Sequence, residues 1–342
     1  MIKFSEYMNE WLYGEDGYYS SMPTIGKKGD FATSVTTSMF FGGAIANHLL
    51  NLIKNKKLSQ NATVVEIGAH HGYLIADIVQ FIYTLNSSLL NTLKFVIIEP
   101  LEKIQKAQEE YLNSSFGDAV KFIWYKSLKE FTCKEAFVVC NELFDAFACE
   151  VIKDNKMLYM KDDEPIFDEI DEKTKELCKK YDIKKGEVTK GYDEFCKDLS
   201  NAVEKCEFLT FDYGEELPRG DISLRFYSGH KTYPFFSLTH FAKLEKEKNL
   251  SIKELYKKSD LTYDVVFQHI FDEMKNAGFE LCEFCNQNKA LVDFGMIDLL
   301  EMLKNNASED IYRSEVNKAT QLIDPAYLGE RFKMARFQKG IK

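Results

Sequence analysis

The chain has 342 residues, 45% hydrophobic and 14% aromatic, enough for one large domain or a domain carrying a sizeable insertion. Acidic residues outnumber basic ones 54 to 44, for a formal charge of −10. That balance argues against a nucleic-acid surface, which needs a basic footprint.

No run approaches the roughly 18 uninterrupted apolar residues of a membrane span, so no membrane insertion is expected. Residues Met1-Ile-Lys-Phe-Ser-Glu-Tyr-Met8 lack both a signal-peptide core and an Arg/Ser-rich transit composition. The eight cysteines have no framework spacing, and Cys282-Glu-Phe-Cys285 is a lone C-x-x-C without a second pair. A reducing, cytoplasmic compartment is expected.

Tyr7–Tyr13 reads as a short helix, followed by the turn Gly14-Glu-Asp-Gly17 and two tyrosines. Gly26-Lys-Lys-Gly29-Asp30-Phe-Ala-Thr-Ser34 is a polar loop punctuated by glycine. It reads either as a substrate-facing lid, with Asp30 over the site, or as an ordered connector. Helical periodicity resumes over 38–53 through Phe41, Ile45, Leu49 and Ile53.

From 61 to 141 strand and helix patterns alternate. Thr63-Val-Val-Glu-Ile67 runs into a turn bounded by Gly68 and Gly72, and Leu74, Ile75, Ile78, Val79 and Ile82 then recur at helical spacing. As a bare pattern this suits a ligand-binding turn or a purely structural one. Further strands read at 94–99, 121–125 and 135–141. Helical crossovers between them imply a parallel sheet, and such sheets bind ligands beyond the carboxyl ends of their strands. Gly68, Glu99 and Asn141 all fall on that edge.

Residues 150–159 have strand–turn–strand spacing and an acidic excursion follows at 162–172, which together read as an inserted hairpin. A helix near 192–206, a strand at 208–214, a helix at 263–277, strand-like segments near 279–293 and a helix at 296–304 complete the core.

The strand ends carry the chemistry. Glu99, 27 residues past Gly72, can accept both hydroxyls of a ribose, as acidic residues do for adenosine cofactors. NAD is one candidate, but its fingerprint wants G-x-G-x-x-G, and here His70 occupies the central position. Glu66 would repel a pyrophosphate and engage a cationic amino group. The combination fits S-adenosylmethionine, which is cationic and carries no phosphate. At the next strand end, Asn141, Glu142 and Asp145 are placed to orient an attacking amine or guanidine, since methyl transfer needs mainly positioning and charge complementarity. Asp145 has an alternative role as a helix cap. His70 and His71 could also be read as a metal pair, but no third ligand is evident.

With these residues in place the chain resembles the MidA-type family of S-adenosylmethionine-dependent methyltransferases, which includes the mitochondrial arginine methyltransferase that assists respiratory complex I assembly. The resemblance rests on Gly29-Asp-Phe-Ala-Thr-Ser34 with Phe41-Gly42, Val65-Glu-Ile-Gly68, and Ile98-Glu-Pro100 with Gln108. It continues through Asn141-Glu-Leu-Phe-Asp-Ala146, Asp212-Tyr-Gly214, Leu224-Arg-Phe-Tyr227 with His230, and Asp260-Leu-Thr262. It implies an α/β fold: a class I, Rossmann-like methyltransferase sheet with an N-terminal helical extension and an inserted substrate-side subdomain. The boundaries expected are 1–60 for the extension, 61–149 and 207–342 for the core, and 150–206 for the insertion.

By that resemblance the cofactor is S-adenosylmethionine, bound by Glu66, Gly68, His70, Gly72 and Glu99. The reaction is methylation of an arginine nitrogen on a protein, with Asp30, Asn141, Glu142 and Asp145 as catalytic residues. The partner is a protein substrate such as a respiratory-complex subunit, with a homodimer left open. A cofactor-binding assembly factor without catalysis and a small-molecule N- or O-methyltransferase are the alternatives. The chain departs from the family at three places: His70 stands for the usual glycine, Val35 for proline and Asp264 for histidine. A Cβ and an imidazole at 70 would crowd the cofactor or replace a backbone contact.

Overall fold

The computed structural model describes residues 1–21, 33–228, 231–238 and 251–341. The chain forms two compact units. One is assembled from Thr33–Leu143, Cys196–Tyr213 and Met274–Lys342, the other from Met1–Ala32, Phe144–Phe195 and Gly214–Glu273. The helix read at 38–53 lies in the sheet unit, which begins at Thr33.

The sheet unit is built on β1 (Thr63–Ile67), β2 (Lys94–Ile98), β3 (Phe122–Tyr125), β4 (Cys133–Asn141), β5 (Val203–Glu215), β6 (Glu280–Asn286) and β7 (Phe332–Lys339). Their order is β6-β7-β5-β4-β1-β2-β3. The five strands from β3 to β5 are parallel, while β7 runs antiparallel to both of its neighbours, so the sheet is mixed. β1 is buried at every position, which is why it reads as an apolar run without alternation.

Helices α1 (Phe40–Lys54), α2 (Tyr73–Asn86) and α3 (Glu102–Phe116) belong to the same unit. The apolar stripe of α2, Leu74, Ile75, Ile78, Val79 and Ile82, joins one core with Ile45 and Leu49 of α1 and Val64 of β1. By length and apolar composition Tyr73–Asn91 could cross a membrane, but in the fold this face is part of the unit's core. α1 and α2 approach closely at Gly42, where a Cβ would lie 2.5 Å from the Cβ of Asp77.

The segment read as strand-like near 287–293 is instead helix α4 (Gln287–Asp293). α5 (Met296–Asn306) follows as expected, and α6 (Glu309–Ile323) and β7 close the unit beyond the last element read from sequence. In the other unit, Cys149–Lys153 and Lys156–Lys161 form the expected hairpin. The acidic excursion contributes a third strand, Glu164–Asp168, paired to the second, and Gly186–Thr189 pairs to the first. The core of that unit gathers Phe4, Trp11, Cys149, Leu158, Phe226 and Phe235.

Candidate active site

Register places the site. Glu66 pairs with Ile97 on β2 and Val139 on β4, so β1, β2 and β4 end side by side. Past those ends the chain keeps hydrogen bonding across the edge: Gly68 N–H donates to Ile98 O at 3.1 Å, Glu99 N–H to Tyr125 O at 2.9 Å and Glu142 N–H to Phe211 O at 2.8 Å. Glu66, Gly68, His70, Gly72, Glu99, Asn141 and Glu142 are thereby gathered at one edge of the sheet unit. Asp145 belongs to the other unit, and Asp30 lies outside the described residues, as does His230.

The turn after β1 has Gly68 at φ +71° and Gly72 at φ +79°, left-handed values that glycine adopts without strain. Gly72 is the N-cap of α2 and offers that helix no side chain. Glu66 supplies the missing acceptor, its Oε2 taking the Ile75 N–H at 2.9 Å. The carboxyl is buried, and burial pushes its pKa up to about 8, with help from the charges of Asp77 and Glu99 and against the Ile75 hydrogen bond. Asp77, on α2, is pushed to about 8 by burial alone. Glu66 thus caps α2, a role that the sequence pattern did not assign.

Glu99 follows β2 and precedes α3. One of its oxygens accepts the Leu101 N–H at 3.0 Å, and Gln105 Nε2 donates to its carbonyl at 2.6 Å. Burial raises the carboxyl to about 7, against the Leu101 and Gln108 hydrogen bonds.

His70 takes φ +46° with a full side chain where a glycine was expected. Its imidazole packs edge to face on His71 at 4.3 Å, and His71 stacks on Tyr73 at 5.3 Å. Burial, then the neighbouring His71, push the His70 pKa down to about 3, so the ring is neutral near pH 7. Among the described residues no group of three or more His, Cys, Asp or Glu side chains is set to hold a metal ion.

At the end of β4, Asn141 Nδ2 donates to Glu142 Oε1 at 2.9 Å, and Glu142 takes φ +51°. That commits the amide nitrogen and leaves Asn141 Oδ1 as the acceptor. It is shielded from solvent and receives no hydrogen bond among the described residues. Leu143 packs over the glycine turn, since a Cβ on Gly68 would lie 3.0 Å from Leu143 Cδ1.

In the other unit Asp145 sits in the turn Phe144–Ala146, where its Oδ2 accepts Thr262 Oγ1 at 2.7 Å. Asp260, pushed up to about 7 by burial and then by the Asp145 charge, accepts Tyr19 OH at 3.1 Å. Asp264, the departure from family histidine, accepts Arg225 Nη1 at 2.7 Å and pairs with Arg219. Val35 lies in the short helix Ser34–Thr37, which Thr33 caps.

The protein family described as "Putative S-adenosyl-L-methionine-dependent methyltransferase" matches residues 44–285. The chain is 21% identical over 369 residues to human "Protein arginine methyltransferase NDUFAF7, mitochondrial", an alignment covering 97% of this chain and 78% of that protein. The rat protein of the same name is 28% identical over 163 residues, 42% of this chain and 37% of that one. A Burkholderia thailandensis protein crystallised with S-adenosyl-homocysteine has the same fold at a TM-score of 0.81, with 21% identity over 100% of this chain and 88% of its own.

Proposed function

The chain belongs to this family of S-adenosylmethionine-dependent methyltransferases, and on that premise we propose that it methylates a guanidino nitrogen of arginine in a protein substrate. The cofactor is S-adenosylmethionine, and the residues at the sheet edge fit it. Buried acids held above their ordinary pKa ionise more readily beside a positive charge, which favours a cationic ligand there.

Bound there, S-adenosylmethionine supplies a methyl group activated by its sulfonium. In this reading Glu99 accepts the ribose hydroxyls. The turn from Gly68 to Gly72 admits the methionine end, and Glu66 holds that turn against the start of α2. His70, being neutral, sets no positive charge against the sulfonium.

The observation that carries the acceptor assignment is Asn141 Oδ1, a shielded acceptor fixed in direction because the amide nitrogen is committed to Glu142. Such an oxygen takes an N–H from the nucleophile and orients its lone pair, while the Glu142 carboxylate offsets the charge of a guanidinium. The human and rat relatives are named as protein arginine methyltransferases, which supports an arginine acceptor. A second reading, cofactor binding without transfer, is favoured by the His70 side chain at the turn where a glycine was expected.

The test is incubation of the protein with methyl-labelled S-adenosylmethionine and a lysate of cells lacking this gene. One labelled protein band containing methylarginine, absent with Asn141→Ala, is expected. Labelled product on another residue type would overturn the arginine reading. No labelled band at all, from a protein that binds S-adenosyl-homocysteine, would favour the second.

A further inference from the structure

Gln108 is fully buried on α3, and its surroundings permit only one orientation of its amide. Trp124 Nε1, on β3, can only donate, and it sits 2.9 Å from Gln108 Oε1. The oxygen must therefore face the indole and the nitrogen must face the opposite way. There Nε2 donates to the His70 carbonyl at 2.8 Å, in the middle of the glycine turn. Glu99 is held at the start of the same helix, its carboxylate by the Leu101 N–H at 3.0 Å and its carbonyl by Gln105 Nε2 at 2.6 Å. A Cβ on Gly72 would lie 3.8 Å from Gln108 Cγ, so the stem of the side chain passes beside the second glycine of the turn.

We propose that Gln108 is a positioning residue for the cofactor: a buried amide, locked by Trp124, that ties the turn after β1 to α3, the helix whose start holds the ribose-binding acid. The His70 backbone is in a conformation that a side chain disfavours, so it needs a partner to hold it, and the Gln108 hydrogen bond is that partner. One amide thereby fixes the turn against α3, the helix whose N-cap N–H holds the Glu99 carboxylate. Gln108 itself touches neither reacting atom. The proposal rests on the reading of Glu99 as the ribose acid.

Two ligands separate positioning from general stability: S-adenosyl-homocysteine and its 2′-deoxy analogue, titrated calorimetrically into wild type, Gln108→Leu and Trp124→Phe. Wild type should prefer the hydroxylated ligand about tenfold, the worth of a charge-assisted hydrogen bond. Gln108→Leu should bind S-adenosyl-homocysteine at least about tenfold more weakly and lose most of that preference. Trp124→Phe, which frees the amide to rotate, should reduce the preference in the same direction. A merely structural role would weaken both ligands equally and leave the ratio intact, and that result overturns the proposal. If Gln108→Leu does not fold, the ratio in Trp124→Phe decides on the same terms. A wild type that binds both ligands equally removes the ribose role of Glu99 and the proposal with it. A wild type that discriminates beside variants that discriminate as well overturns the proposal alone.

Discussion

His70 carries a side chain at a backbone position that glycine usually fills, and its surroundings compensate. Its φ of +46° costs an L-residue about 1–2 kcal/mol, though histidine is among the residue types found there more often than most. The Gln108 bond to its carbonyl and the ring contact with His71 hold it in place. Replacing His70 by glycine removes the strain and adds backbone entropy to the unfolded chain, two effects of similar size and opposite sign. His70→Gly is therefore expected to change unfolding stability in urea by less than about 1 kcal/mol. His70→Val should lower it by about 2 kcal/mol, because a β-branched residue resists positive φ far more. A glycine variant less stable than the valine variant would show that the imidazole, not the backbone, holds this turn.

The central elements were readable because local pattern and tertiary role agree. β1, β2 and β4 are buried parallel strands, and α2 buries one apolar stripe, so period and composition gave both. The strand-end positions of Glu99 and Asn141 followed from the same pattern, since the parallel order places the ends of successive strands on one edge. The capping role of Glu66 was not readable, because it depends on a strand-end carboxylate reaching a helix whose own N-cap is a glycine.

Gln108 entered only through family resemblance. Nothing in a helical window says that a buried glutamine bonds a loop 38 residues earlier. Gln287–Asp293 misled because a short apolar run, Ala-Leu-Val, suits strand or helix alike. β7 alternates weakly, its Lys333 and Arg336 engaging Asn286 and Glu207 on the two neighbouring strands. Asp145 follows Glu142 by three residues in the chain, yet it falls in the other compact unit, a division that no local pattern announces.

For the molecule as a whole, the buried acids set the pH dependence of stability. Glu66 and Asp77 are raised to about 8, and Glu99, Glu187 and Asp260 to about 7, in each case by burial first. The folded chain therefore holds protons that the unfolded chain releases near pH 4, and stability falls as pH rises through 7 to 8. His70 and His269, lowered to about 3 and about 4 by burial, act the other way, since the unfolded chain then binds more protons until about pH 6.5. Between about 4.5 and 6.5 the two groups oppose each other, and above 6.5 only the acids remain. The urea midpoint of the cofactor-free protein is expected to fall from about pH 6.5 to 8. Glu66→Gln, which can still accept the Ile75 N–H, should flatten that fall. A midpoint that rises across the interval would mean that these acids are ionised in the folded chain.

The binding of the adenosine cofactor at the carboxyl edge of β1 and β2 unites these observations. Calorimetric titration of S-adenosyl-homocysteine into the wild type and Glu99→Ala tests it most directly. Saturable one-to-one binding is expected, with Glu99→Ala at least about tenfold weaker and equally well folded. Absence of binding up to about 1 mM ligand, or unchanged affinity in Glu99→Ala, would contradict it.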